Sequence, residues 1–244
     1  MNQAVERLIF ALDVDELSEA RRWVRELHRH VGVFKVGKQL FTRCGPDVVS
    51  MIRDEGGEVF LDLKYHDIPN TVAMAGIEAC RLGVKMFNVH ALGGREMMSV
   101  TAQSAKECCS AAGIPEPLLL AVTILTSSND ATLREIGLDR SVSEMVPRLA
   151  KLAQESGCGG VVASPLEVGL IRAACGPDFK IVTPGVRPSF ASADDQKRVM
   201  TPGEAISAGA DYLVIGRPIS AAKEPITAAQ LILDEIAAAL EQRT

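Results

Sequence analysis

Asp62, Lys64 and Asp67 stand close together in the segment Phe60-Leu61-Asp62-Leu63-Lys64-Tyr65-His66-Asp67-Ile68-Pro69-Asn70-Thr71. The run before them, Gly57-Glu58-Val59-Phe60-Leu61, reads as a strand. Strand side chains alternate between faces, so Asp62 and Lys64 point one way while Leu61 and Leu63 point the other. A lysine held between carboxylates stays protonated, because neighbouring negative charge favours its charged form. Such an ammonium can stabilise developing negative charge and then deliver a proton. The same spacing also fits a solvated strand rim or a structural salt bridge, and spacing alone does not choose between these readings.

The elements that must position these groups recur along the chain. Short apolar segments run over Leu8–Asp13, Val31–Val36, Glu58–Lys64, Met86–His90, Leu118–Leu125, Gly160–Ser164, Lys180–Pro184 and Tyr212–Gly216, each followed by a helix-like stretch. Their mean spacing of about 29 residues is the size of a βα unit. Strands alternating with helices imply a parallel sheet, and this number of units in a chain of 244 residues predicts one closed (β/α)8 TIM barrel. Helical periodicity is expected over Leu17–His30, over Thr71–Leu82 with Asn70 as N-cap and Gly83 just past the C-terminus, over Ser143–Ser156 and over Leu231–Leu240. No linker or low-complexity segment interrupts residues 1–244, which read as a single barrel domain. A doubly wound open sheet has the same periodicity, but no Gly-x-Gly-x-x-Gly follows the first strand to support a dinucleotide fold.

Barrel active sites lie at the C-terminal ends of the strands. Those ends here carry Asp13, Lys35, Asp62 with Lys64, His90, Thr126-Ser127, Gly185 to Arg187, and Gly216-Arg217. This shared placement says more than any one motif. Gly216 lets a backbone N–H approach an oxyanion, Arg217 adds a planar fork, and Arg187 stands at the preceding loop, so the last two loops read as a phosphate site. Either arginine alone would read as a surface residue. The connection over residues 188–202 is long enough to be a lid, with Gln196 able to meet a ligand on closure, although a solvated loop has the same composition. His66 and His90 receive no proton-transfer role. No Asp, Glu and His set shows metal spacing, and no nucleophilic triad is evident.

Composition narrows the partners. Hydrophobic residues make up 47% and charged residues 23%, with a formal net charge of -5. That balance fits a soluble globular protein and disfavours a general nucleic-acid or anionic-membrane binder. The six cysteines show neither a Cys-x-x-Cys pair nor zinc spacing, so they read as reduced thiols. The N-terminal residues lack a signal-peptide pattern, and the most apolar run is too short to span a bilayer. A cytoplasmic location is expected.

Over essentially its whole length the chain resembles orotidine 5′-phosphate decarboxylases of the bacterial type. The resemblance rests on Ala11-Leu12-Asp13, Phe34-Lys35-Val36-Gly37, Asp62-Leu63-Lys64-Tyr65-His66-Asp67-Ile68-Pro69-Asn70-Thr71, Leu125-Thr126-Ser127, Thr183-Pro184-Gly185-Val186-Arg187-Pro188 and Ile215-Gly216-Arg217-Pro218. It implies an alternating charge chain of Lys35, Asp62, Lys64 and Asp67, with Asp67 and Thr71 reaching into the partner's site in a homodimer. It further implies ribose contacts from Asp13 and Lys35, Thr126 and Ser127 near the pyrimidine, and Arg187, Gln196, Gly216 and Arg217 on the phosphate side. The implied reaction converts orotidine monophosphate to uridine monophosphate with neither metal nor organic cofactor. Two rivals remain: a magnesium-dependent sugar-phosphate decarboxylase or aldolase, which shares Asp-x-Lys-x-x-Asp but lacks Ile-Pro-Asn-Thr, and a catalytically silent nucleotide-binding barrel. A mere binder gains little from so costly a charge cluster.

Overall fold

Period-two alternation sorts the apolar strand residues into two cores. A computed structural model describes residues 3–190 and 200–242 of the chain. Its strands are β1 Leu8–Ala11, β2 Val33–Gly37, β3 Val59–Tyr65, β4 Met86–His90, β5 Leu118–Val122, β6 Gly160–Val162, β7 Lys180–Pro184 and β8 Tyr212–Ile215. All pair in parallel in chain order, and β8 returns to β1 with Leu8 beside Leu213, closing the barrel. Ile9, Val33, Phe60, Met86, Leu120, Val162, Val182 and Val214 fill the lumen. The alternate set, including Phe10, Phe34, Leu61, Phe87, Val161 and Leu213, packs outward beneath the helices. Both faces of each strand are thereby buried, which is why the strands read as continuous apolar runs. The fold is the (β/α)8 barrel expected from the spacing.

Several boundaries differ from expectation for identifiable reasons. β1, β5, β6 and β8 stop before the predicted ends. The clearest case is Leu118–Leu125, which leaves the ladder after Val122 although its apolar composition continues. Ile124 is still buried and walls the cavity at the strand ends, so hydrophobicity persists there without sheet geometry. The helix predicted from Leu17 to His30 ends at Leu27. Asn70 is not an N-cap: the helix runs Pro69–Arg81 with Ile68 in the capping position and Pro69 at its first residue. Proline has preset φ and no N–H to leave unsatisfied, so it starts a helix without a side-chain cap. Gly83 lies one residue beyond the C-cap Leu82 at φ 68, as a terminating glycine should.

Candidate active site

β3 ends with a backbone irregularity. Leu61 pairs with Phe87, the next pair is Tyr65 with Val89, and so Asp62, Leu63 and Lys64 face the single residue Asn88. Lys64 has φ 54, the only non-glycine residue with positive φ among those described. That conformation costs on the order of 1–3 kcal/mol and persists only where surrounding contacts enforce it. Asn88 supplies such contacts: its Oδ1 accepts from the Lys64 N–H at 2.7 Å. Its Nδ2 donates to Asp62 Oδ1, also at 2.7 Å. Asn88 is fully buried and Asp62 is 9% exposed. A charged strand end in an apolar barrel is thus held as a bulge.

From this bulge a row of alternating charge runs across three strand ends. Lys64 Nζ donates to Asp62 Oδ1 at 2.6 Å. Lys35 Nζ lies 3.6 Å from Asp62 Oδ2 and 3.2 Å from Asp13 Oδ1. Asp62 therefore accepts from Lys64 and Asn88 on one oxygen and faces Lys35 with the other. Gly37 preserves the arrangement, because a Cβ there would stand 3.2 Å from Lys35 Nζ. Asp62, Lys64, Lys35 and Thr126 line a cavity of about 190 Å³ whose other walls include Phe60, Val122, Ile124 and Val162. Apolar walls lower the polarity around the fixed charges, which are therefore felt more strongly than in bulk water. A larger groove, about 660 Å³, opens at the opposite barrel end between Arg53, Gly83, Lys85 and Pro117. Convergence of charge, not volume, marks the site.

His90 ends β4 with its ring stacked on His66, centroids 5.5 Å apart. Burial pushes its pKa down to about 4, and His66, Lys64 and Lys38 add to the shift. The imidazole is accordingly neutral at physiological pH.

The remaining sequence expectations fall in three groups. Asp13, Lys35, Asp62 and Lys64 are brought together, and Thr126 joins them on the cavity wall. Ser127 is exposed in the turn beyond. Gly216 sits against β1, where a Cβ would come within 3.1 Å of Ala11 Cβ and 3.7 Å of Asp13 Oδ2. Arg217 follows it, exposed, and Arg187 donates to the carbonyl of Val186 at 3.1 Å. Neither arginine pairs with a carboxylate among the described residues. Arg187 N–H also bonds Met200 O at 3.0 Å, joining the two ends of the long connection. Gln196 lies outside the described residues. Asp67 and Thr71 are exposed and neither is bonded to the charge row among the described residues; Asp67 Oδ1 instead accepts from Ile68 N–H at 2.7 Å. Asn88 was not singled out by its sequence context, yet its parity with lumen-facing Met86 marks it as an inward polar residue in an apolar strand.

Known proteins with this architecture share the sequence closely. The orotidine 5′-phosphate decarboxylase / HUMPS family profile matches residues 6–232. The chain is 69% identical to an orotidine 5′-phosphate decarboxylase from Syntrophotalea carbinolica, over 98% of each protein. It is 62% identical to one from Geobacter sulfurreducens, over 97% of this chain and 98% of that one. Among solved structures it resembles the orotidine 5′-phosphate decarboxylase from Lactobacillus acidophilus, with TM-score 0.81 and 38% identity over 94% of this chain and 98% of that one. A conserved protein from Geobacillus kaustophilus, described as uncharacterized, superposes with TM-score 0.81 at 36% identity, covering 94% of this chain and 99% of that one. With relatives this close running the full length of the barrel, the chain belongs to the orotidine 5′-phosphate decarboxylase / HUMPS family.

Proposed function

We propose that this protein decarboxylates orotidine 5′-phosphate to uridine 5′-phosphate and CO2, the step that completes uridine monophosphate synthesis, without a metal or organic cofactor. The observation that carries the reading is the row Asp13–Lys35–Asp62–Lys64 at the mouth of an apolar-walled cavity. Breaking the bond from C6 to the carboxylate leaves its electron pair in the ring plane, where the π-system does not delocalise it. Stabilisation must then be electrostatic, and a preorganised ammonium supplies it at no reorganisation cost. Lys64 Nζ takes that role and passes its proton to C6 as CO2 departs; the amine regains a proton from solvent. Asp62 lies beside the leaving carboxylate and raises the ground-state energy while anchoring both lysines. Asp13 and Lys35 take the ribose hydroxyls, and Thr126 and Ser127 the pyrimidine edge. Arg187, Gln196, Gly216 and Arg217 hold the phosphate, a reading supported by two arginines that follow the neighbouring strands β7 and β8 and pair with no carboxylate among the described residues. Phosphate binding remote from C6 then supplies energy for closing the site.

The proposal includes a homodimer in which Asp67 and Thr71 complete the neighbour's site. Its support is that both are exposed, and that Ile68 and Met74 beside them are 66% and 48% exposed apolar residues. Apolar side chains around a polar pair are the composition of an interface. A cytoplasmic setting belongs to the same proposal, supported by cysteines that are all free thiols.

The test is turnover of orotidine 5′-phosphate by purified protein before and after exhaustive chelation. Equal rates are expected. Activity lost on chelation and restored by magnesium would favour the sugar-phosphate chemistry, and no turnover in either condition would leave a nucleotide-binding barrel.

A further inference from the structure

We infer that Asn88 is the positioning residue for the Lys64 ammonium: it acts through Lys64 and Asp62 and does not itself touch substrate. The inference rests on the decarboxylase reading for its kinetic expression, while the geometry behind it is independent of that reading. In the β3–β4 ladder, Asn88 is the lone residue opposite Asp62, Leu63 and Lys64. Its side chain takes over the bonding that the strands relinquish there. Oδ1 accepts the Lys64 N–H and Nδ2 donates to Asp62 Oδ1, both at 2.7 Å. These partners fix the amide orientation, since only the oxygen can accept and only the nitrogen can donate.

Two consequences follow for the charged pair. The Lys64 backbone is retained in a left-handed conformation that a lysine does not choose by itself. The compressed strand end then lets Nζ turn back onto Asp62, 2.6 Å away. Meanwhile Nδ2 occupies Asp62 Oδ1 alongside Lys64, which stops the carboxylate from rotating and keeps Oδ2 toward Lys35. The placement of the ammonium is thereby set by a neutral group on the neighbouring strand. A neutral amide does this without adding charge to a site whose charge balance matters.

Apolar shape alone does not explain the residue. Met86 precedes it on the same face and packs in the lumen, and Leu120 is its neighbour on β5. An aliphatic side chain would match those surroundings, but it would leave the Lys64 N–H and one lone pair of a buried carboxylate without partners.

The experiment compares Asn88→Ala and Asn88→Asp with wild type in the full chain, using orotidine 5′-phosphate. Misplacement of a reacting group by an ångström costs about a hundredfold, so Asn88→Ala should lose kcat on that scale while KM changes little. Asn88→Asp is nearly isosteric and provides the discriminating readout. The titratable groups around it are Asp62 and Lys64 on β3, which it contacts, Lys35 on β2 beyond the far oxygen of Asp62, and His90 two residues along β4. Burial and Asp62 favour the protonated form of the introduced carboxyl, which can donate to Asp62 as the amide did. Its kcat should therefore approach wild type at low pH and fall through a single ionisation that wild type lacks. Backbone exchange at Lys64 reads the hold with no substrate present: its amide should be protected in wild type and exchange faster in Asn88→Ala. Should Asn88→Ala not fold, the Asn88→Asp pH profile decides alone. Folded variants with wild-type kcat and pH profile would overturn the inference. If wild type itself does not turn over orotidine 5′-phosphate, the reaction assignment fails, and unchanged Lys64 amide exchange in the folded variant would separately remove the role of Asn88.

Discussion

Lys64 and Asp62 show how much a buried charge depends on its neighbours. Asp62 is nearly out of solvent and meets two ammoniums and one amide. Taking ions out of water is expensive unless attraction and hydrogen bonds compensate, so the row is worth little as a staple and makes sense as preorganised chemistry. Replacing Lys64 with Ala removes the group that meets charge arising only in the transition state, and Lys35 and Asn88 remain to hold Asp62. Turnover should be abolished while binding of the phosphate side, measured with uridine 5′-phosphate, is largely retained. A kcat loss smaller than about tenfold, ~1.4 kcal/mol, would mean that the proton donor is another group.

Among the elements, the turn after β6 holds a carboxyl in an unusual state. Ser164 caps the short 3-10 turn Pro165–Glu167, and the Glu167 carboxylate reaches back to the Ser164 N–H at 3.0 Å. Burial nevertheless pushes the Glu167 pKa up to about 7, the Ser164 bond opposing only part of the shift. A carboxyl whose folded pKa exceeds its unfolded value contributes stability that is complete below the unfolded pKa and is lost as pH rises through the folded one. From an ordinary value of 4.5 to about 7, rising pH therefore weakens this turn. Glu167→Gln retains an acceptor for Ser164 but cannot ionise. Thermal melts should show the variant close to wild type near pH 4.5 and more stable than wild type above neutrality. A gain of the same size at both ends of that range would assign the effect to packing.

For the whole molecule, the decisive question is whether one barrel is a complete site. Among the described residues Asp67 accepts only from the Ile68 N–H, whereas the proposed dimer sets it beside the partner's charge row. If so, Lys64→Ala and Asp67→Ala homodimers are each inactive, and a hybrid carries both lesions in one site and neither in the other. Random pairing of equal amounts produces about half hybrids with one intact site of two, so roughly a quarter of wild-type activity should return. The recovered activity should show wild-type KM. Hybrids that form, as seen by mass, yet recover nothing would confine Asp67 to its own barrel.

The sequence by itself determined the barrel and the composition of its rim. Both follow from local periodicity: apolar runs at βα spacing, and polar residues where each run ends. That is why Asp13, Lys35, Asp62, Lys64 and Thr126 are legible in the sequence as rim residues. Strand alternation also predicted that Asp62 and Lys64 share a face, but not how they meet. The left-handed Lys64 and its hold by Asn88 arise from pairing between β3 and β4, partners distant in the chain, where register is set by packing and not by composition. The same limit explains Asn70, a residue type suited to capping that was pre-empted by Pro69 starting the helix two residues before the expected Thr71. Residue type supplies the charge, but only the closed sheet decides which charges touch, because contacts at hydrogen-bond distance depend on backbones that the chain brings together from separate segments.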